Sequence, residues 1–573
     1  MPETFLSYFI VKKRSISRIS FIYVIFTLLF LLLSARIIYL QVVKKNSFGG
    51  LARRQHIKII PLKGQRGIIF DSKGRVLATN INVYSVYADP GDIDKKDYVA
   101  KILAQNLHID EEKILGKLKK ECHFVWIKRK VSLYDKKTIE DFKLKGVYFL
   151  KEKMRFYPQG RLASHILGGV DIDNKGIEGV ELFYDKFLKG KEGFVSVLRD
   201  SLSRNIFIYP QIFESKKGLD LHLTVDAQME YWVDKYLRET VHDYLAKAGS
   251  VVVADSHTGA IIALANYPCY DPNNISSASS DSVRDRAAVD IFEPGSVFKI
   301  VTLTGALDKR IFSLDDKIYC EKGAFKIPGS VLHDWKPFGE LTFKEVFKKS
   351  SNIGVAKIAH KLGPKNLYFY IRRLGFGRTT GIDFPGEQKG LLKPLRLWSD
   401  TSGYIVPIGQ EIGVTVLQLA RAMCVIANGG YLVKLHLCDK LKGDYGFVRK
   451  TRTRKVRVLS SRVASLAKDI LIEVVNDGTG KLARIKGITV GGKTGTAQKF
   501  DTKTGRYSHS AFRASFVGFV EDRGNSFVIC VSIDEPHRSH FGGVVAAPLF
   551  KKIARKLVKY ESINNRIEVE SDY

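Results

Sequence analysis

The chain has 573 residues, 45% of them hydrophobic and only 16 of them proline, so it holds material for more than one packed core and no sign of wholesale disorder. Its 92 lysines and arginines against 59 acidic residues give a formal charge of +33, spread along the chain rather than gathered in one block. Such a charge invites a nucleic-acid reading, but the chain has no zinc-finger spacing, helix-turn-helix signature or aromatic-basic repeat to support one; the charge suits an anionic lipid or polymer, or is lysine-rich composition alone. The six cysteines (Cys122, Cys269, Cys320, Cys424, Cys438 and Cys530) show no paired spacing, so buried free thiols are expected rather than a metal site or disulfide framework.

The first element is apolar. Seventeen uncharged residues lie between Arg18 and Arg36. With Arg36 snorkelling to the interface, the helix continues through IIYLQVV to Val43, long enough for a bilayer core of about 30 Å. Lys12, Lys13, Arg14 and Arg18 precede it, which places residues 1–18 in the cytoplasm and everything after residues 19–43 outside. A cleavable signal would have a shorter core and a small residue where Leu33 stands, so an uncleaved, single-pass anchor is expected.

Residues 48–215 read as a non-catalytic module. GQRGIIFDSKGRVLATN gives two strands about a turn at Asp71-Ser72-Lys73-Gly74, and NVYSVYADP continues as strand. Residues 94–145 read as helical with lysine-rich faces. Glu178 and Glu181, beside glycines, suit salt bridges or capping rather than an acid pair.

The second module, residues 221–562, opens with a strand and an amphipathic helix in LHLTVDAQMEYWVDKYLRETVHDYLAK. SVVVADSHTGAIIALANYP is a hairpin about Ser256-His257-Thr258-Gly259. Helices dominate to about residue 435, strands follow near Val490, Phe516 and Ile529, and a helix through PLFKKIARKLVKY closes the module before a tail at 563–573. Strands at both ends with helices between predict an α+β domain, one antiparallel sheet covered by helices.

Three short motifs in order carry the chemistry. Ser296-Val297-Phe298-Lys299 puts a hydroxyl and an amine on one helix face, where the amine can take the hydroxyl's proton. Ser350-Ser351-Asn352 and Lys493-Thr494-Gly495 add a second hydroxyl, an amide and a second cation, an inventory for making and breaking a serine ester. Each motif recurs: Ser465-Leu466-Ala467-Lys468, Ser203-Arg204-Asn205, Ser562-Ile563-Asn564 and Lys503-Thr504-Gly505 also fit. Order removes all but the last. Lys493 follows a β-favouring run with glycines, whereas Lys503 lies in a polar stretch that reads as a hairpin tip. Ser465 reads as a mid-helix residue. Glu293-Pro294-Gly295 ahead of Ser296 predicts a helix N-terminus there, which favours developing negative charge. His333 in VLHDWKPF is a lone histidine, expected to be structural.

On these residues the chain resembles the class B penicillin-binding proteins, and within them the division-specific D,D-transpeptidases. The resemblance runs through ARIIYLQV, Arg66-Gly67, Asp71, GIEGVE, RDRAAVDIFEPGSVFK, KKSSNIGVAKIA, IGVTVLQLARAMCVIANGG and GGKTGTAQ, nearly the whole chain. Asn352 and Thr494 are division-like, since elongation-type relatives usually carry Ser-x-Asp and Lys-Ser-Gly. The resemblance implies an elongated pedestal and a penicillin-binding, serine β-lactamase-like domain. It implies that Ser296 attacks the penultimate D-alanine of a stem peptide ending in D-Ala-D-Ala, with Lys299 as base. Ser350 would relay a proton, Asn352 would hold Lys299 and the substrate amide, and Lys493, Thr494, Gly495 and Thr496 would bind the terminal carboxylate. The backbone N–H groups of Ser296 and Thr496 would form an oxyanion hole. It further implies no metal or organic cofactor, reaction with β-lactams, and a place at the division septum with an FtsW-type glycan polymerase and other division proteins. Three alternatives stand beside it: an elongation-type transpeptidase; a hydrolase of the same fold, carboxypeptidase or β-lactamase, which fits Ser296 and Lys299 but leaves the anchor and the long non-catalytic module unaccounted for; and an anchored β-lactam sensor or scaffold that acylates without turnover.

Overall fold

The computed structural model describes residues 4–46, 48, 57–62, 64–199, 205–213, 215–446, 448–501 and 505–571. It divides into two compact units, Met1–Gly64 with Lys191–Lys216, and Gln65–Gly190 with Lys217–Tyr573.

In the first unit a helix spans Thr4–Ile38 and passes into a π-helical turn at Tyr39–Val43. The apolar stretch Ile19–Val43 has 25 residues, and its apolar window is unburied. At 1.5 Å per residue it reaches about 37 Å, enough to cross a bilayer core with some tilt. This fits a single-pass membrane anchor, with the Arg36 guanidinium lying 5.6 Å from the Tyr39 ring centroid. Strands Ile57–Leu62, Gly193–Arg199 and Asn205–Phe213 form a separate antiparallel sheet with Gly193–Arg199 in the middle.

The second unit begins with the expected strand pair. Asp71 shapes its turn by accepting the backbone N–H groups of Lys73 (2.9 Å) and Arg75 (2.7 Å). The long strand Val76–Ala88 then pairs with Val125–Val131 and with Val147–Phe156. Helices Lys96–Leu107, Glu111–Leu118 and Leu133–Asp141 occupy much of the region read as helical, but Val125–Val131 is a strand and corrects that reading. Its β-branched and aromatic residues suit a pleated surface, and it buries Ile127 and Val131 with Val86, Leu103 and Leu118 in one small core. The lysine-rich composition of the neighbouring helices masked that short signal.

Glu181 is structural. It is fully buried, and its carboxylate accepts from Arg66 Nε at 2.7 Å and Arg155 Nε at 2.6 Å. Arg66 also reaches Asp185 at 2.6 Å, and Arg155 donates to the Gly67 carbonyl at 2.7 Å. The Arg66-Gly67 pair is thus held at the base of the strand pair by charges taken out of water, and removing one partner leaves the others unpaired.

Five strands build the catalytic sheet: β1 (Ala248–Asp255), β2 (Ile261–Tyr267), β3 (Thr489–Asp501), β4 (Arg506–Asp522) and β5 (Asn525–Asp534). Their order is β2-β1-β5-β4-β3, every neighbour antiparallel, so β3 is an edge strand. Alternation sends Val251, Val253, Ile529 and Val531 into a core with helices α1 (Ala227–Asp243) and α6 (Gly542–Ser571). Val252, Ala254, Val528 and Cys530 enter the opposite core with α2 (Lys299–Asp308), α3 (Asn352–Leu362), α4 (Val416–Ala427) and α5 (Ser461–Asp477). This is the antiparallel sheet covered by helices expected from the sequence. The backbone of α6 continues through Ser571, past the point where a tail was expected.

The Glu181 network makes a stability prediction. Glu181→Leu leaves two buried guanidiniums without their shared carboxylate and should destabilise the fold by about 3–5 kcal/mol. Asp94→Ala, which breaks a 3.5 Å pair between Lys145 and Asp94 exposed on both sides, should cost under about 1 kcal/mol. Thermal melts of the two variants against the parent chain check this, and equal melting points for parent and Glu181→Leu would refute it.

Candidate active site

Ser296 lies where the sequence places it, at the entry to a helix. Pro294 leads into a 3₁₀ turn, Gly295–Phe298, which runs into α2. Residues i and i+3 of such a turn eclipse one another, so Ser296 and Lys299 share a face. Gly295 has φ +56°, and its N–H donates to the Gly409 carbonyl at 3.1 Å. The next helix turns are buried and mostly apolar, which fixes α2 and carries Lys299 inside with no exposed surface.

Ser350, Ser351 and Asn352 form the start of α3. Ser351 caps it, its Oγ accepting from the Gly354 N–H at 2.9 Å. Ser350 sits in the left-handed region at φ +61°, a conformation that strains a residue with a Cβ and is held by its neighbours. The principal neighbour is Lys299, whose Nζ donates to the Ser350 carbonyl at 2.7 Å, to Ser350 Oγ at 3.2 Å and to Asn352 Oδ1 at 2.8 Å.

The third motif arrives on the sheet edge. Lys493, on β3 and 1% exposed, donates to the same Ser350 Oγ at 2.8 Å. Thr494 Oγ1 lies 2.9 Å from Thr479 Oγ1, and Thr496 Oγ1 accepts from the Gly542 N–H at 3.0 Å. Gly495 allows this docking. A Cβ there would stand 2.9 Å from the Pro294 carbonyl oxygen and 2.4 Å from Ser515 Oγ, so only glycine lets the edge strand lie against the turn that carries Ser296. The structure therefore brings all three motifs together.

Burial sets the electrostatics. Desolvation pulls the Lys299 ammonium down to about 7, partly opposed by the Asp334 carboxylate. Lys493 is pushed well below the usual lysine range, first by burial and then by the positive charge of Lys299. Two cations on one hydroxyl, out of water, disfavour double protonation. One amine can be neutral near neutral pH, and among the described residues neither amine is in ion-pair contact with a carboxylate, a partner that a ligand can supply.

The competing motifs stay elsewhere. Ser465 is exposed on α5, and Lys468 pairs with Glu521 on β4 at 2.5 Å. Ser203 and Lys503 lie outside the described residues, and Ser562 sits on α6.

Two supports escaped the sequence reading. Asp334 accepts from Ser351 Oγ at 2.6 Å, from the Ile353 N–H at 3.1 Å and from the Asn352 N–H, so it holds the second motif at the positive end of α3. Thr479 holds Thr494. His333, expected to be structural, contributes through its carbonyl, which accepts from Asn352 Nδ2 at 2.9 Å. A DW pair after a histidine was the one visible cue. Nothing in its spacing links it to a motif sixteen residues later.

Residues 249–555 match the penicillin binding protein transpeptidase domain, and residues 61–223 match the penicillin-binding protein dimerisation domain. The probable peptidoglycan D,D-transpeptidase PenA of Neisseria gonorrhoeae is 34% identical over 95% of this chain and 93% of its own length. Stage V sporulation protein D of Bacillus subtilis is 32% identical over 94% of this chain and 85% of its own. The peptidoglycan D,D-transpeptidase FtsI of Escherichia coli is 30% identical, covering 92% and 89%. A crystal structure of penicillin-binding protein 3 from Mycobacterium tuberculosis with aztreonam superposes with a TM-score of 0.69 at 26% identity, covering 88% of this chain and 98% of that one. With relatives at this identity over nearly its full length, and with the three serine-ester motifs assembled in one cleft, the chain belongs to the class B penicillin-binding proteins.

Proposed function

We propose that this chain, a peptidoglycan D,D-transpeptidase of the class B penicillin-binding type, carries its acyl group on Ser296 and works at the division septum. The observation that carries the residue assignment is the convergence of Lys299 and Lys493 on Ser350 Oγ, with Ser296 three residues from Lys299 on the same face.

In this reading neutral Lys299 takes the Ser296 proton as Oγ attacks the penultimate D-alanine carbonyl of a stem peptide. The backbone N–H groups of Ser296 and Thr496 receive the oxyanion. Ser350, in contact with both lysines, passes a proton to the departing D-alanine, and Asn352 keeps Lys299 aimed. Lys493 and Thr494 hold the terminal carboxylate, which supplies the anion the two lysines lack. An amine from a neighbouring stem then takes the acyl group.

The septal role rests on the division-like Asn352 and Thr494 and on the likeness to FtsI. Residues 19–43 anchor the chain with its N-terminus in the cytoplasm, and residues 48–215 and the anchor dock an FtsW-type polymerase and other division proteins. Depletion should block septation while side-wall growth continues; the reverse pattern would assign the chain to elongation. Sustained acylation with no turnover of a D-Ala-D-Ala donor would support the sensor reading.

Ser296→Ala should abolish labelling by a fluorescent penicillin while Ser465→Ala leaves it intact, with the labelled peptide mapped by mass spectrometry. Label on the Ser465 peptide would overturn the assignment.

The lysine roles predict a pH profile. Below about 7 Lys299 keeps its proton and cannot accept another, so acylation should fall about tenfold per pH unit there and level off above. Asp334→Asn removes the anion that favours the charged lysine and should move the midpoint to lower pH. Lys299→Ala should slow acylation by about 10²–10⁴-fold. A parent profile that is flat across about pH 5–9 would remove Lys299 as the base.

Lys493→Ala should erase the preference for donors with a free terminal carboxylate over their amides, read as the ratio of kcat/KM values. An unchanged preference would refute the clamp.

A further inference from the structure

One large aromatic at the rim of the site has no part in the chemistry above. Trp335 is 57% exposed, yet its orientation is fixed: Nε1–H donates to the Lys349 carbonyl, the residue before Ser350, at 2.9 Å. The two residues ahead of it grip the same motif from its other end. Asp334 binds Ser351, Asn352 and Ile353, and the His333 carbonyl binds Asn352 Nδ2. The turn His333–Trp335 therefore spans Ser350 on both sides in sequence. Ser350 and Ser351 are buried, whereas His333, Trp335 and Lys336 are exposed, so on this side of the motif the turn presents the surface that a ligand meets. The Lys336 ammonium lies 4.7 Å from the indole centroid, and the Phe338 ring stands nearly perpendicular to the indole at 5.9 Å.

Resting on the transpeptidase reading above, we propose that Trp335 and Lys336 form the subsite for the acceptor amine, the indole supporting its carbon chain and Lys336 its carboxylate. The argument is microscopic reversibility. The group that gives a proton to the departing amine must, in the second half-reaction, take one from the arriving amine. Both amines therefore pass the same atom, Ser350 Oγ. In the second half-reaction the acceptor nitrogen bonds the acyl carbon and the ester bond to Ser296 Oγ breaks. The proton lost by the amine returns through Ser350 and Lys299 to Ser296 Oγ. Water competes for the same acyl carbon and needs no subsite, so the surface beside Ser350 is what favours an amine over water. An indole already locked by a backbone hydrogen bond offers contact area at little ordering cost.

The test uses the full-length chain in detergent micelles, with an acyl-D-alanyl thiolester as donor and D-leucine, D-leucinamide or glycine as acceptor. The readout is the ratio of aminolysis to hydrolysis products, with the rate of fluorescent-penicillin acylation measured alongside. Trp335→Ala should lower the ratio for sub-saturating D-leucine about tenfold, leave glycine nearly unaffected and keep acylation within about twofold. Trp335→Phe should recover part of the loss. Lys336→Ala should lower the ratio for D-leucine but not for D-leucinamide. A Trp335→Ala ratio unchanged for D-leucine, or one that falls only in step with acylation, would overturn the subsite. A parent chain that never acylates would overturn the transpeptidase reading as well, so the two failures are distinct.

Discussion

The active site depends on two buried lysines sharing one hydroxyl. Lys299 and Lys493 reach Ser350 Oγ from a helix and from a sheet edge, at 3.2 and 2.8 Å, and among the described residues neither has a carboxylate within salt-bridge distance. Burial alone makes a lysine a base by penalising its charged form. Placing a second lysine beside it strengthens that penalty and leaves the pair short of one negative charge. In the proposed reaction the substrate's terminal carboxylate supplies that charge, so recognition and activation would draw on the same imbalance.

The contrast with Glu181 shows what the fold does when charge serves stability. There a buried carboxylate meets two guanidiniums at 2.6–2.7 Å, and Arg66 gains a second acid in Asp185. Both places take charge out of water. One is neutralised within the fold, and in the proposed reaction the other is completed by a substrate. The strained Ser350 backbone belongs with the second: it persists because Lys299 binds its carbonyl and Asp334 fixes the residues that follow.

Much of this was legible in the sequence because it is encoded locally. The β-branched alternation of SVVVADSHTGAIIALANYP, the uncharged run after Arg18 and the Pro-Gly ahead of Ser296 each act over fewer than about twenty residues. The order of the three motifs selected Ser296 over its duplicates, the β-favouring run ahead of Lys493 selected it over Lys503, and the structure gathers Lys299, Ser350 and Lys493 into one cleft. The strand Val125–Val131 was missed because its pairing partner, Val76–Ala88, lies some forty residues earlier, and its own lysines and arginine match the helical stretches around it. Asp334 and Thr479 were missed for a related reason. Each acts on a backbone or hydroxyl that only the tertiary fold brings near, and neither has a spacing that marks it.

The edge position of β3 ties these strands of argument together. A central strand has neighbours on both sides, so its backbone is spent on the sheet. An edge strand keeps one side free, a liability in most folds unless something covers it. Here the turn carrying Ser296 approaches so closely that a side chain at position 495 would strike the Pro294 carbonyl. Covering the edge and building the site are therefore one event. The same contact that protects the strand sets Lys493 opposite Lys299, and the glycine that weakens β3 as a strand makes it usable as a wall of the cleft.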